Sequence, residues 1–122
     1  MIIAVIGSRD YKNLFEVTNY LNSIKGKIDF ELITGNAKGV DETVKKWADL
    51  NNVKCEVVKP ANLENWNKSI CCIFRNIEII IKADLIIAFW NGSRGTKFVI
   101  DYARARMKPI EVKGYEKWAY HQ

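Results

Sequence analysis

Five short apolar runs, at residues 2–6, 30–33, 55–58, 85–90 and 110–112, punctuate the chain, each rich in β-branched side chains and bounded by Gly, Pro, Asn or Asp. Such runs predict strands. Between them the apolar residues recur every three or four positions: Leu14, Val17, Leu21 and Ile24; then Val40, Val44, Trp47 and Ala48; then Ile70, Ile73, Phe74, Ile77 and Ile80; then Val99, Ala103 and Met107. That spacing predicts four helices.

Strict alternation of strand and helix predicts a mostly parallel sheet of about five strands with helices on both faces, because each right-handed crossover needs a helix to return the chain. The expected fold is therefore α/β, a single Rossmann-like domain over residues 1–122, with 113–122 as an aromatic, polar tail. Gly26, Gly35, Gly39, Gly95, Pro60 and Pro109 fall at the inferred boundaries, where breakers belong. Residues 60–68, long and polar for an α/β connection, are expected to form an irregular flap. Trp66 within it either stacks on a ligand base or plugs the edge of the core.

Composition narrows the function classes. With 122 residues, 48% hydrophobic and 27% charged, the chain suits one soluble domain and is too short for separate cofactor and substrate domains. No apolar stretch approaches the ~20 residues of a membrane span. The start MIIAVIG lacks a basic leader and a cleavage site, so it reads as a strand, and a cytoplasmic location is expected. Three cysteines, Cys55, Cys71 and Cys72, make neither a disulfide framework nor a zinc-ligand spacing, so no metal and no bound cofactor are expected. The net charge of +5 comes largely from scattered lysines, which ordinary solvation explains. His121, the sole histidine, stands one residue from the end and is assigned no role.

Three of the predicted strands end in a glycine-bearing loop with one cation: VIGSR at 5–9, ITGNAKG at 33–39 and AFWNGSRGT at 88–96. At the carboxyl edge of a parallel sheet such loops converge on one crevice, where helix N-termini and guanidinium groups favour phosphate oxygens. Arg9, Lys38 and Arg94 are accordingly expected to face a common pocket. In the first loop Gly7 permits a tight turn, while Ser8 and Asp10 either cap the helix or bond the ligand. Arg9 has no capping role, since a cation at a helix N-terminus is mildly unfavourable. In the second loop Gly35, Asn36, Lys38 and Gly39 shape and charge the turn, and Asp41 is either a first-turn acid or a catalytic carboxylate. The third, Asn91, Gly92, Ser93, Arg94, Gly95 and Thr96, is read as a loop leading into a helix over 98–107. Arg75 and Asn76 interrupt an isoleucine-rich helix, where Arg75 either pairs with Glu78 or reaches into the site.

These motifs, GSRDY, ITGNAKGVDETVKKWA, FRN and ADLIIAFWNGSRGT, together resemble the small SLOG domains of the YspA-like branch, over residues 1–112. The resemblance implies a fold similar to the LOG phosphoribohydrolases and to the Rossmann domain of DprA, and ligand binding by the loop residues named above with Arg75 and Asn76. It implies a nucleotide or a nucleotide-derived signal such as an ADP-ribose-type molecule, and a homo-oligomer. LOG enzymes carry a glutamate shortly after the Gly-Thr of the third loop, but here Thr96 is followed by Lys97, Phe98 and Val99. Cleavage of an N-glycosidic bond needs a carboxylate near a cationic sugar, so Asp10, Asp41 or Asp101 would have to substitute, with Arg75 and Asp41 as the catalytic candidates. Binding therefore ranks ahead of phosphoribohydrolase activity. DprA-like nucleic-acid binding ranks last, since no basic run with interleaved aromatics is present.

Overall fold

The computed structural model describes residues 1–114, and the expectations for the tail beyond them, His121 included, lie outside the described residues. The elements follow in the order β1 (Ile2–Gly7), α1 (Leu14–Ile24), β2 (Glu31–Thr34), α2 (Val40–Leu50), β3 (Cys55–Val57), α3 (Lys68–Lys82), β4 (Leu85–Phe89), α4 (Arg94–Ala105) and β5 (Ile110–Lys113). The strands form one sheet in the order β3-β2-β1-β4-β5, and every pairing is parallel. This is the expected Rossmann-like α/β domain.

The central strands β1 and β4 are apolar at nearly every position because both of their faces are covered. Alternation splits their side chains between two cores. Ala4, Ile6, Ile86, Ala88 and Trp90 pack with Ile79, Ile80, Val99 and Ile100 of α3 and α4. Ile3, Val5, Ile87 and Phe89 pack with Val17, Leu21, Val44 and Trp47 of α1 and α2. The chain crosses from one face to the other between β1 and β4, so loops leaving these neighbours part in opposite directions and open a crevice at their carboxyl ends.

Three boundaries differ from the sequence reading in ways that matter. β5 runs through Lys113, which pairs with Phe89, so that residue belongs to the sheet and not to a tail. The fourth helix begins at Arg94, four residues before Phe98, because Ser93 takes extended dihedrals (φ −66, ψ 150) as N-cap and its carbonyl accepts the Lys97 N–H. Arg94, Gly95 and Thr96 are therefore the first turn of α4. The third helix likewise starts at Lys68, where the Asn67 side chain accepts the Ile70 N–H at 2.9 Å. Among the described residues no helix is long and apolar enough to cross a membrane.

Candidate functional site

At the carboxyl ends of β1 and β4 lies a cleft of about 420 Å³. Its walls come from the β1–α1 loop, the start of α2, the inner face of α3 and the first turn of α4. Such a volume falls within the range of small-molecule sites.

Ser8 organises the junction of β1 and β4. Its backbone N–H continues the ladder to Phe89 O at 3.0 Å, and its buried hydroxyl lies 2.7 Å from the Ser93 hydroxyl while accepting the Asn91 N–H at 3.2 Å. Ser93 thus spends its side chain on Ser8 and makes no side-chain cap on its own helix. The first-turn amides of α4 have no intrahelical partners, and Gly95 and Thr96 of that turn line the cleft. Asn91 donates through Nδ2 to Asp10 Oδ1 at 2.7 Å, tying the third loop to the first.

Opposite them stand Asp41 and Arg75, both buried. Asp41 Oδ2 accepts the Ala37 N–H at 3.2 Å, but Oδ1 is buried without a hydrogen-bond partner. Burial pushes this carboxyl up to about 6, against the opposing pull of the Ala37 N–H, the Arg75 guanidinium, Thr34 and the Gly7 N–H. Arg75 donates from Nε to Asn76 Oδ1 and from Nη1 to Asn36 Oδ1, each at 2.7 Å. Nη2 takes no part in these bonds. The alternative pairing of Arg75 with Glu78 is not what forms, since Glu78 holds Lys82 at 3.0 Å on the outer side of the helix.

Two glycines let the loops close this tightly. Gly39 has φ +82, and a Cβ there would stand 2.5 Å from the Arg9 carbonyl. Gly35 lets Asp41 and Arg75 approach its Cα, with a Cβ there falling 2.6 Å from Asp41 Oδ2.

A second cavity of about 410 Å³ adjoins the cleft, sharing Arg9 and Cys72 with it. Trp66 lines this second cavity together with Asn36, Lys59 and Lys68. The two chambers differ in charge. The first balances Arg9 and Arg75 against Asp10 and Asp41, whereas the second is lined by Arg9, Lys59 and Lys68 with no acidic residue.

The structure therefore gathers most of the expected site. Gly7, Ser8, Arg9 and Asp10 line the cleft from the first loop, Asp41, Arg75 and Asn76 from the helices, and Ser93, Gly95 and Thr96 from the third. Lys38 and Arg94 correct the expectation of a shared cationic pocket: both are exposed and neither lines either chamber. For Arg94 the cause is the early start of α4, which makes it a helical residue on the solvent side of the first turn. Asn91, Gly92, Gly35 and Gly39 shape the walls without lining these chambers. Sequence reasoning missed Cys72, one helical turn before Asn76 on the same face, and Lys59, the cation that follows β3 as Arg9 follows β1. Among the described residues no group of three or more His, Cys, Asp or Glu side chains could hold a metal ion.

Residues 1–66 match the family described as the YspA, cpYpsA-related SLOG family. The chain belongs to this SLOG family. The matched span holds the first two loops and Asp41, while Arg75 and the third loop lie beyond it. No curated protein matches this SLOG domain. A solved structure similar in fold is UDP-GlcNAc 2-epimerase from Neisseria meningitidis bound to UDP-GlcNAc, at 14% identity and a TM-score of 0.51 over 91% of this chain. The SLOG domain spans 31% of that chain, so the likeness is one of fold.

Proposed function

We propose that the cleft binds the phosphate of a nucleotide-type ligand at the first turn of α4, with Arg9 and Arg75 as the cations that face it. The observation that carries this reading is the diversion of Ser93. Its hydroxyl bridges to Ser8 at 2.7 Å instead of capping α4, which leaves main-chain N–H groups, two buried hydroxyls and two guanidinium groups around one cavity. An anion there is favoured by the helix dipole and by charge-assisted hydrogen bonds of about 1.5 to 3 kcal/mol each. Membership of the SLOG family supports the ligand class, as does the nucleotide sugar held by the epimerase of similar fold. The adjoining chamber, with Trp66, Lys59 and Lys68, takes the remainder of a ligand larger than a mononucleotide, such as an ADP-ribose-type molecule. Three free thiols suit the reducing cytoplasm as its setting.

Thermal-shift and calorimetric titration with phosphate, AMP, ADP and ADP-ribose tests this reading. A ligand at a hundredfold its dissociation constant adds about 2.7 kcal/mol of stability. Failure of every one of these compounds to shift the melting temperature overturns it.

One observation favours turnover as a second reading. Asp41 presents a buried, unpartnered Oδ1 on a cleft wall shared with Arg75, which is where a carboxylate could steady a cationic sugar during N-glycosidic cleavage. Of the other acids considered, Asp10 is bonded to Asn91, and Asp101 pairs with Lys97 at 2.6 Å and does not line the cleft. Incubation with nucleoside 5′-monophosphates, followed by assay for free base and ribose 5-phosphate, decides between binding and hydrolysis. Hydrolysis requires release by the wild type and its loss in Asp41→Asn.

A further inference from the structure

The two chambers call for different chemistry. Arg75 carries only donors, so the two amides bonded to it must present their carbonyl oxygens: Asn76 Oδ1 accepts from Nε and Asn36 Oδ1 from Nη1, each at 2.7 Å. What each asparagine has left is its Nδ2 donor. Asn76 lines the phosphate cleft and Asn36 the adjoining chamber, so one buried guanidinium fixes the amide orientation of a residue in each.

In the cleft such donors meet the carboxylates of Asp10 and Asp41. In the second chamber they meet none. Arg9, Lys59 and Lys68 line it, no carboxylate does, and of its lining side chains only Asn62 keeps a free oxygen acceptor. Among the described residues none of these three cations makes an ion pair, whereas Lys45, Lys46, Lys82 and Lys97 are each paired with a carboxylate. Lys68 also stands in the first turn of α3, which holds no acidic residue and where the helix dipole disfavours a cation. Like charges gathered around one concavity of about 410 Å³ repel one another, and an anion that enters it reverses the sign of that energy.

We propose that the second chamber is a separate anion subsite, so that the ligand carries two phosphates on different atoms, one at the first turn of α4 and the other held by Lys59 and Lys68, as in a nucleoside 3′,5′-bisphosphate. Arg9 lines both chambers and serves both groups. Trp66 lines the second chamber as well, which gives the base a ring to stack on beside the second phosphate. The placing of two phosphates on one ligand rests on the cleft reading given above. The subsite itself rests on the charge and donor pattern of the second chamber alone.

Two measurements on the whole chain test it. In isotope-labelled protein titrated with inorganic phosphate against chloride at constant ionic strength, the Gly95 and Thr96 amide resonances report the cleft and those of Lys68 and Ser69 the second chamber. Both pairs are expected to shift. Shifts at Gly95 and Thr96 alone overturn the subsite and leave the cleft reading standing, shifts at Lys68 and Ser69 alone uphold the subsite and overturn the cleft reading, and no shift at either pair overturns both. By calorimetry, adenosine 3′,5′-bisphosphate is expected to bind at least about tenfold more tightly than AMP. Lys59→Gln combined with Lys68→Gln is expected to bring that ratio to within about threefold of unity, without altering the ratio of ADP to AMP, whose added phosphate adjoins the first. Both lysines are exposed, and the melting temperature shows that the variant is folded. A bisphosphate no tighter than AMP, or an advantage that survives the loss of both lysines, overturns the two-phosphate ligand.

Discussion

Asp41 and Arg75 meet across the backbone of Gly35. A Cβ on that glycine would fall 2.6 Å from Asp41 Oδ2 and 2.8 Å from Arg75 Nη1, so the carboxylate and the guanidinium both occupy space that a side chain at this position would need. Each is held from elsewhere, Asp41 by the Ala37 N–H and Arg75 by Asn36, Asn76 and the Val58 carbonyl. The loop after β2 thereby positions the two buried charged groups of the cleft relative to each other.

Gly35→Ala is therefore expected to disturb the site through sterics alone. The side chains it would strike are buried and bonded, so one of them has to move, at a cost of about 1 to 3 kcal/mol. Urea denaturation measures that loss. An unchanged midpoint would mean that the loop shifts freely.

Asp41→Asn is expected to stabilise the protein at neutral pH. Burial raises the Asp41 carboxyl from its ordinary value to about 6. The folded state therefore binds a proton more tightly than the unfolded chain, and stability is fully present below about pH 4, then lost as pH rises through about 6. Two pH units correspond to at most about 3 kcal/mol at pH 7 and above. The asparagine variant lacks this titration, so its advantage over the wild type should grow between pH 4 and 7 and then level off. Denaturation midpoints across that range check it, and a constant difference would refute the placement of a charged Asp41 in the core.

The corrected cation assignment separates variants cleanly. Arg9 lines both chambers, so Arg9→Ala is expected to weaken phosphate-ligand binding by about 10- to 100-fold, the equivalent of one charge-assisted hydrogen bond. Lys38 and Arg94 are exposed and line neither chamber, so their alanine variants should change affinity by less than about threefold, through screened long-range attraction alone. Calorimetry on the three variants is the measurement.

The difference between Arg9 and Arg94 also shows what the sequence could convey. Element types and the parallel pairing follow from periodicity and strict alternation, because burial on both faces leaves uniform apolar runs, whereas the strand order β3-β2-β1-β4-β5 does not. The start of α4 did not follow, since Ser93-Arg94-Gly95-Thr96 contains a glycine and no acidic first-turn residue, and local propensity reads it as loop. Tertiary bonding settled it: Trp90 Nε1 donates to Ser93 O at 2.8 Å and the Ser93 hydroxyl meets Ser8. Lys59 and Cys72 were invisible for a related reason, since both line the second chamber beside residues that lie far away in sequence.

Trp66 offers the sharpest discrimination between ligands that fill one chamber and ligands that fill both. Its indole is half-exposed, leans on Phe74 at 5.5 Å between ring centroids, and lines the chamber that Arg9 joins to the phosphate cleft. Stacking of a base on such a ring contributes about 1 to 3 kcal/mol. Trp66→Ala should consequently weaken a nucleotide whose base enters the second chamber by roughly 5- to 100-fold, while leaving the affinity for inorganic phosphate unchanged. Because the substitution also removes the Phe74 contact, Trp66→Phe serves as the control and should retain most of the affinity. Equal losses for phosphate and nucleotide would show that Trp66 acts by supporting α3 and not by touching the base.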